Sequence, residues 1–465
     1  MTHVAIIGAY GSAGAAVAGE LADEPGIELT LIDDGEPGGG LCILRGCMPS
    51  KEVLSAGAHR FQARHDHRLA GDLPEIDLEA VVEQKNEHTL SWAGHRRDSI
   101  HDLAERENVE FVHDTAQFVD DRVLAVGGET IEPDYVVVAT GSVMNVPELP
   151  GMESVDFMTS SEILDATEFP DSGIVMGFGY IGMELVPYIA EAGGTSLTVV
   201  EHDARPIDEA DAPFGDAALD IYEEHWDIDV RRHAYEKRIE QTDDGGVRLY
   251  LEEDGEETVV EADELFLFTG RRPNLDRLGL DATSLDPEAG WVRDTMQARE
   301  DDHVFVVGDV NGKEPILHVA KEQGFTAADN ILAHARGDDL TEYENVHHHV
   351  IFSGLGVYPF ARVGHSKFSA EEAGLDYIHV SREASDDGVF KTKDVPEGLA
   401  SLVVDANDGT VLGYQGLHYH ADVMAKTLQL AVEMELDVRE LPDRAYHPTT
   451  PEILDGLFRD ATNKL

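Results

Sequence analysis

The sequence predicts an α/β fold opened by two parallel βαβ units and closed by an α+β segment. Two stretches carry the prediction. Residues 3–34 read HVAIIGAYGSAGAAVAGELADEPGIELTLIDD, and residues 173–203 read GIVMGFGYIGMELVPYIAEAGGTSLTVVEHD. Each is an apolar run, a glycine turn, a small-residue helix, a second apolar run and an acid. That order is the opening of a Rossmann-like dinucleotide-binding unit. Length adds a third observation: 465 residues at 42% hydrophobic content can fill the cores of about three domains.

The first unit departs from the usual G-x-G-x-x-G spacing. Read strictly, it is Gly8-x-Tyr10-x-x-Ala13; with one extra residue it is Gly8, Gly11 and Gly14, the preferred alignment. Asp33 is the expected ribose ligand at its strand end, with Asp34 as the alternative. Roughly residues 50–105 then read as helical, and a β-rich run ends in VVVATGS at 136–142.

The second unit carries Gly177-x-Gly179-x-x-Gly182 in full. Gly177 permits the tight turn, Gly179 admits a pyrophosphate to the helix N-terminus, and Gly182 lets helix and strand pack closely. Glu201 follows Gly177 by 24 residues, where a carboxylate accepts a ribose 2′-OH and repels a 2′-phosphate. NADH is therefore favoured over NADPH, although Arg205 lies close enough to leave NADPH open. Residues 245–268 alternate as strands and lead into FTGRRPN (268–274). A short strand, HVFVVGDV (303–310), precedes a helix at about 317–335. Boundaries are expected near Pro150, Asp263 and Asp338. They give domains at 1–150, 151–263, 264–338 and 339–465, the last with no nucleotide fingerprint.

Acidic residues number 93 against 34 basic ones, a formal net charge of −59. Such a surface repels nucleic acid and anionic lipid, so neither is an expected partner. No apolar run reaches the roughly 18 residues of a membrane span. The basic residues divide into 10 Lys and 24 Arg, and the acids spread along the whole chain. This composition resembles that of proteins from salt-accumulating halophiles. Molar salt cuts the Debye length to about 3 Å and screens the self-repulsion, so a salt requirement is expected. The N-terminus has neither the basic region nor the apolar segment of a signal peptide. With only two cysteines there is no secreted-type disulfide framework, and the cytoplasm is the expected location.

Those two cysteines sit in GGGLCILRGCMPSK (38–51), which places Cys42 and Cys47 on an opening helix with four residues between them. Such a pair can form a short disulfide, and a helix N-terminus and Lys51 would lower the thiolate pKa. Zinc usually takes four Cys/His ligands, and no second cysteine pair exists, so no metal is expected here. The run His347-His348-His349 reads first as a solvated strand edge, with metal binding as the alternative. His447 and Glu452, five residues apart, can act together. An imidazole supplies the proton that a leaving thiolate needs, and a carboxylate holds its tautomer.

This cysteine segment resembles the redox-active stretch of the class I pyridine nucleotide–disulfide oxidoreductases. The family includes dihydrolipoamide dehydrogenase, glutathione reductase, mycothione reductase and mercuric reductase. ATGS at 139–142, GFGYIGMELV at 177–186, GRRPN at 270–274, VVGDV at 306–310 and HPTTPE at 447–452 follow in family order, so the resemblance covers essentially the whole chain. It implies an FAD domain, an inserted NAD(P)H domain and a C-terminal dimerisation domain. By resemblance FAD takes the first glycine loop, Asp33, Gly40, Thr140, Gly141 and Asp309, with Gly270 and Arg271 completing the cofactor-contacting motifs. Lys51 resembles the lysine that pairs with a glutamate near the flavin, here Glu184. Tyr180 resembles the cover of the nicotinamide pocket. Cys47 is the implied flavin-facing thiolate and Cys42 the thiol that exchanges with substrate. His447 is implied to reach the partner subunit's disulfide, which makes the active form a homodimer.

The resemblance leaves the substrate, a small disulfide or dithiol, open. Dihydrolipoamide dehydrogenases carry His-x-His-Pro-Thr, but here the first position is Ala445. Ala-Tyr-His-Pro-Thr is closer to glutathione reductases, Pro451-Glu452 resembles mycothione reductases, and Glu201 resembles the NADH-using lipoamide enzymes. FSGLGVYPFARVG (352–364) departs from the family's Phe-Thr-x-Pro-Glu pattern. Lipoamide and a small-thiol disulfide such as bis-γ-glutamylcystine are the expected substrates. The alternatives are a mercuric reductase-like enzyme or a non-catalytic FAD-binding partner protein. C-terminal cysteines for mercury are absent.

Overall fold

The structure is a computed structural model that describes every residue except Ala445. The departure from His-x-His at that position lies outside the described residues. The chain divides into two compact units. The first comprises Met1–Pro49, Gln84–Asn145 and Arg271–Asn345; the second comprises Ser50–Glu83, Val146–Gly270 and Val346–Leu465.

The first unit is built on a parallel sheet in the order Val304–Val306, Tyr135–Val138, Thr2–Ile7, Ile27–Ile32, Val109–Val112. A parallel sheet buried on both faces needs continuous apolar strands, and HVAII and YVVV supply them. Val4 and Ile6 join one core with the helices Ser12–Leu21 and Leu317–Arg336. Ala5 and Ile7 join the other core, with the antiparallel strands Ala116–Asp120 and Val123–Val126.

The second unit contains a four-stranded parallel sheet in the order Ile228–Arg232, Ser196–Glu201, Ser172–Met176, Glu264–Leu267. It also contains a five-stranded antiparallel sheet in the order His348–Ile351, Phe360–Gly364, Val411–Leu417, Leu399–Asp405, Tyr377–Glu383. Met424, Leu428, Ile453, Leu457 and Phe458 bring the helices Ala421–Glu433 and Glu452–Thr462 into one core with the second of these sheets. The fold is the expected mixed α/β architecture.

The helical stretch expected over residues 50–105 is two helices, Cys47–His65 and Leu78–Leu103. Gly71 at φ 122° and Pro74 lie in the break between them. The Cys47–His65 helix is tied twice to the helix Tyr180–Gly193. Lys51 holds Glu184, and Arg60 and Arg64 hold Glu191. Glu191 is buried and also accepts from Trp226 Nε1 at 2.9 Å, so every charge-bearing oxygen there has a donor. No helix among the described residues is long and apolar enough to cross a membrane.

Candidate active site

The two glycine loops have the same geometry at different spacing. Gly8 and Gly177 both sit at positive φ, 95° and 97°. A Cβ on Gly14 would lie 2.2 Å from the Gly8 carbonyl oxygen, and one on Gly182 would lie 2.5 Å from that of Gly177. Gly11 and Gly179 are the N-caps of the helices that follow. The first loop therefore carries one extra residue and pairs Gly8, Gly11 and Gly14 with Gly177, Gly179 and Gly182. Gly179 has an ordinary φ of −74°, and a Cβ there would meet no protein atom within 4 Å. Neither backbone strain nor internal packing calls for glycine at that place. It keeps open the approach to a helix N-terminus that its own N-cap side chain does not cover, a place whose N–H groups and dipole suit a pyrophosphate.

Asp33, not Asp34, faces the first loop. It accepts the amides of Tyr10 at 2.9 Å and Gly35 at 2.8 Å, and burial pushes its carboxyl up against those bonds. Asp34 is exposed and pairs with Arg277 at 3.1 Å. Tyr10 turns inward, and its hydroxyl meets His101 Nε2 at 2.8 Å, which leaves the loop lined by backbone. Gly40 lies against Gly11, where a Cβ would stand 3.2 Å from Gly11 Cα. Such a cradle fits a dinucleotide.

In the same unit, Ser142 bridges Asp309 and Arg271. Its hydroxyl donates to Asp309 Oδ2 at 2.7 Å and accepts from Arg271 Nε at 2.9 Å, while Arg271 Nη2 donates to the Ser142 carbonyl at 2.6 Å. Burial lowers the Arg271 pKa, and Asp309 opposes that shift. The Thr140 hydroxyl donates to the Asn274 carbonyl at 2.9 Å, and Asn274 Nδ2 returns a bond to the Thr140 carbonyl at 3.1 Å. Gly141 and Gly270 take positive φ at these two turns.

The cysteines do not share one helix. Cys42 lies in the short helix Leu41–Leu44, Gly46 intervenes, and Cys47 opens the helix Cys47–His65. Arg45 leaves the helical region at φ −142°, and this break separates the two turns. Both residues are thiols, with Cys42 half-buried and Cys47 exposed. A hydrogen bond with Cys47, together with burial, pushes the Cys42 thiol up. That shift favours the protonated form of Cys42, while Cys47 stands at the positive end of its helix. Lys51 follows one turn later. Its Nζ donates to both Glu184 oxygens at 2.7 Å and lies 4.6 Å from the Phe352 ring centre, and the Phe352 amide donates to Glu184 at 3.0 Å.

In the second unit, Glu201 ends its strand and accepts the Asp203 amide at 2.9 Å. Burial pushes the Glu201 carboxyl up. Arg205 is engaged with Asp216. Tyr180 opens its helix 40% exposed, and its hydroxyl donates to Glu209 at 2.6 Å. His447 is exposed, and its Nδ1 lies 3.0 Å from Glu452 Oε1, which also accepts the Thr449 amide at 3.1 Å. Glu452 is the first residue of its helix, which fixes that oxygen in place.

Ser142, Phe352 and Glu209 are the contributors that sequence reasoning missed. Ser142 lies within ATGS and was legible as a motif position, whereas Phe352 and Glu209 act through tertiary contacts with no local signal. The strand-edge reading of the histidine run fails for His349, which is 6% exposed, because alternation along His348–Ile351 turns it inward.

Two loops for nucleotides and a dithiol at a helix head define a nucleotide-dependent oxidoreductase. Residues 2–324 match the pyridine nucleotide-disulphide oxidoreductase family, and residues 350–457 match its dimerisation domain. The chain belongs to this family and is an FAD-dependent pyridine nucleotide–disulfide oxidoreductase. It is 29% identical to a dihydrolipoyl dehydrogenase of Halobacterium salinarum, across 97% of this chain and 94% of that one. It is 28% identical to a mercuric reductase of Staphylococcus aureus, across 93% of this chain and 78% of that one. LpdA from Mycobacterium tuberculosis superposes with a TM-score of 0.83, and the flavoprotein disulfide reductase RclA from Escherichia coli with 0.82. Both are 21% identical and cover 99% of each chain, and they show the fold. Family membership implies FAD and NAD(P)H.

Proposed function

We propose that this enzyme passes electrons between NADH and a small disulfide through Cys42 and Cys47, with lipoamide as the first substrate to test. The observation that carries the reading is the hydrogen-bonded thiol pair at a helix head, one turn from the Lys51–Glu184 ion pair. Bound FAD supplies the two-electron relay between nicotinamide and the cysteine pair. Gly8, Gly11, Gly14, Asp33, Gly40, Thr140, Gly141, Asp309, Gly270 and Arg271 would hold it. Gly177, Gly179, Gly182, Tyr180 and Glu201 would hold the nicotinamide nucleotide.

The chain's own residues divide the remaining work. Cys42 exchanges with substrate. The hydrogen bond with Cys47 and burial favour its protonated form, so it needs a base, and the His447–Glu452 dyad provides one. In the homodimer the dyad of one chain serves the cysteine pair of the other. Exposed Phe368, Val423, Met434 and Tyr446 in the family's dimerisation segment support that assembly. In the reductive direction NADH and one proton convert one disulfide to two thiols, with His447 returning a proton to the departing sulfur. A specific observation favours a second substrate: Ala-Tyr-His-Pro-Thr resembles the small-thiol reductases, with bis-γ-glutamylcystine as the test case. NADH consumption in molar KCl decides. Rapid turnover with lipoamide supports the first reading; turnover with bis-γ-glutamylcystine alone replaces it.

Two more results are expected. Glu201→Arg moves preference toward NADPH by about tenfold or more, a cost of about 1.4 kcal/mol between cofactors. An unchanged NADH/NADPH ratio of kcat/KM removes Glu201 from the ribose site. Dilution to about 0.01 M salt lengthens the Debye length to about 30 Å. At −59 the protein should then release FAD or dissociate. A holoenzyme that keeps its visible spectrum and elution volume rules out a salt requirement.

A further inference from the structure

We propose that Glu209, His347 and His349 form a binding site for a borderline divalent transition cation of the zinc type. One ligand atom from each lies within 4.8 Å of the other two. His349 Nδ1 faces His347 Nε2 at 3.1 Å, and the rings stand at 86°. His349 Nε2 lies 2.9 Å from Glu209 Oε1. That nitrogen is sealed from solvent, with the Glu209 carboxylate as its close neighbour. A tetrahedral ion with bonds of about 2.0–2.1 Å separates its ligand atoms by about 3.3 Å. One imidazole offers an ion only one of its nitrogens, so His349 would bind through Nε2 beside Glu209, with the His347 ring turned toward that ion to close ligand separations now within 4.8 Å and water in the fourth place.

The surroundings hold these ligands in position. Tyr180 stacks on the His349 ring at 5.2 Å and donates its hydroxyl to Glu209, and Phe360 packs against the same imidazole at 5.9 Å. Arg362 Nη1 donates to the Glu209 carbonyl at 2.9 Å and fixes that loop. Two imidazoles and one carboxylate form a nitrogen-rich, borderline donor set that favours zinc-type ions over magnesium or calcium. Such partners to the ligands commonly set metal affinity. A bound cation would also compete with the Tyr180 hydroxyl for Glu209.

The test uses full-length, FAD-loaded protein carrying Cys42→Ser and Cys47→Ser, which removes the thiols as competing ligands. After chelator dialysis it is titrated with Co2+ and then Zn2+. One equivalent per chain and visible Co2+ absorption that Zn2+ displaces are expected. His347→Ala and, independently, Glu209→Gln should each weaken binding tenfold or more while FAD content stays unchanged. His303→Ala, in the separate cluster Asp302, His303 and His334, should leave binding as it was. Absence of stoichiometric binding, unchanged affinity in both ligand variants, or loss in His303→Ala overturns the proposal. None of these readouts depends on turnover, so they stand apart from the substrate question.

Discussion

Cys47→Ser is expected to yield a folded, yellow protein whose NADH-driven disulfide reduction falls by more than about 1,000-fold. Serine matches cysteine in shape closely enough to keep the start of the Cys47–His65 helix, and Lys51 and Glu184 stay in place. What disappears is the second sulfur, without which Cys42 has no partner for an internal disulfide. The Cys42 thiol should also lose the neighbouring ionisable sulfur whose hydrogen bond and charge raise it, so its alkylation by iodoacetamide should speed up at neutral pH. Turnover with lipoamide or bis-γ-glutamylcystine near the parent rate would end the dithiol reading. Slower alkylation would show that Cys47 does not restrain Cys42.

His447→Ala should separate two halves of the reaction. Reduction of the enzyme by NADH, followed anaerobically, should keep its rate, because no exchange with substrate takes place in that half. Steady-state reduction should fall by about 10²–10⁴-fold, the usual worth of a positioned acid–base group. Glu452→Gln should fall less, since the imidazole remains and loses only its 3.0 Å carboxylate contact. Mixing His447→Ala chains with Cys42→Ser chains tests the dimer. Each mixed dimer retains one intact combination, so activity should return. Equal losses in both half-reactions would make His447 a structural residue, and failure of mixed dimers to recover would place the dyad with its own chain's cysteines.

Much of this was legible in the sequence because it is local. Apolar strands, glycine turns and strand-end acids announce themselves by spacing, and the extra residue between Gly8 and Gly11 could be counted before it was seen. The pairing of Lys51 with Glu184 came through resemblance alone, since residues so far apart in the chain carry no mutual signal. The break between Cys42 and Cys47 falls at Arg45 and Gly46, and the glycine, a poor helix former, was the local signal that the single-helix reading passed over. Burial of His349 was missed for a related reason. A run of three histidines looks solvated, but a strand sends alternate residues to opposite faces. Glu209, in an irregular loop, gained meaning only through Tyr180.

The two charged ties between Cys47–His65 and Tyr180–Gly193 have a mechanical consequence. Glu184 and Glu191 are seven residues apart, two turns on one stripe of their helix. Lys51, Arg60 and Arg64 grip that stripe at both ends. Two bolts prevent rotation where one would allow it, so neither helix can twist or slide along the other without breaking an ion pair. Cys47 sits at the tip of the first rod, and Gly179 caps the head of the second. Residues 50–65 of the first rod are thereby indexed to the helix that begins at the second glycine loop, like a tool clamped to its own ruler.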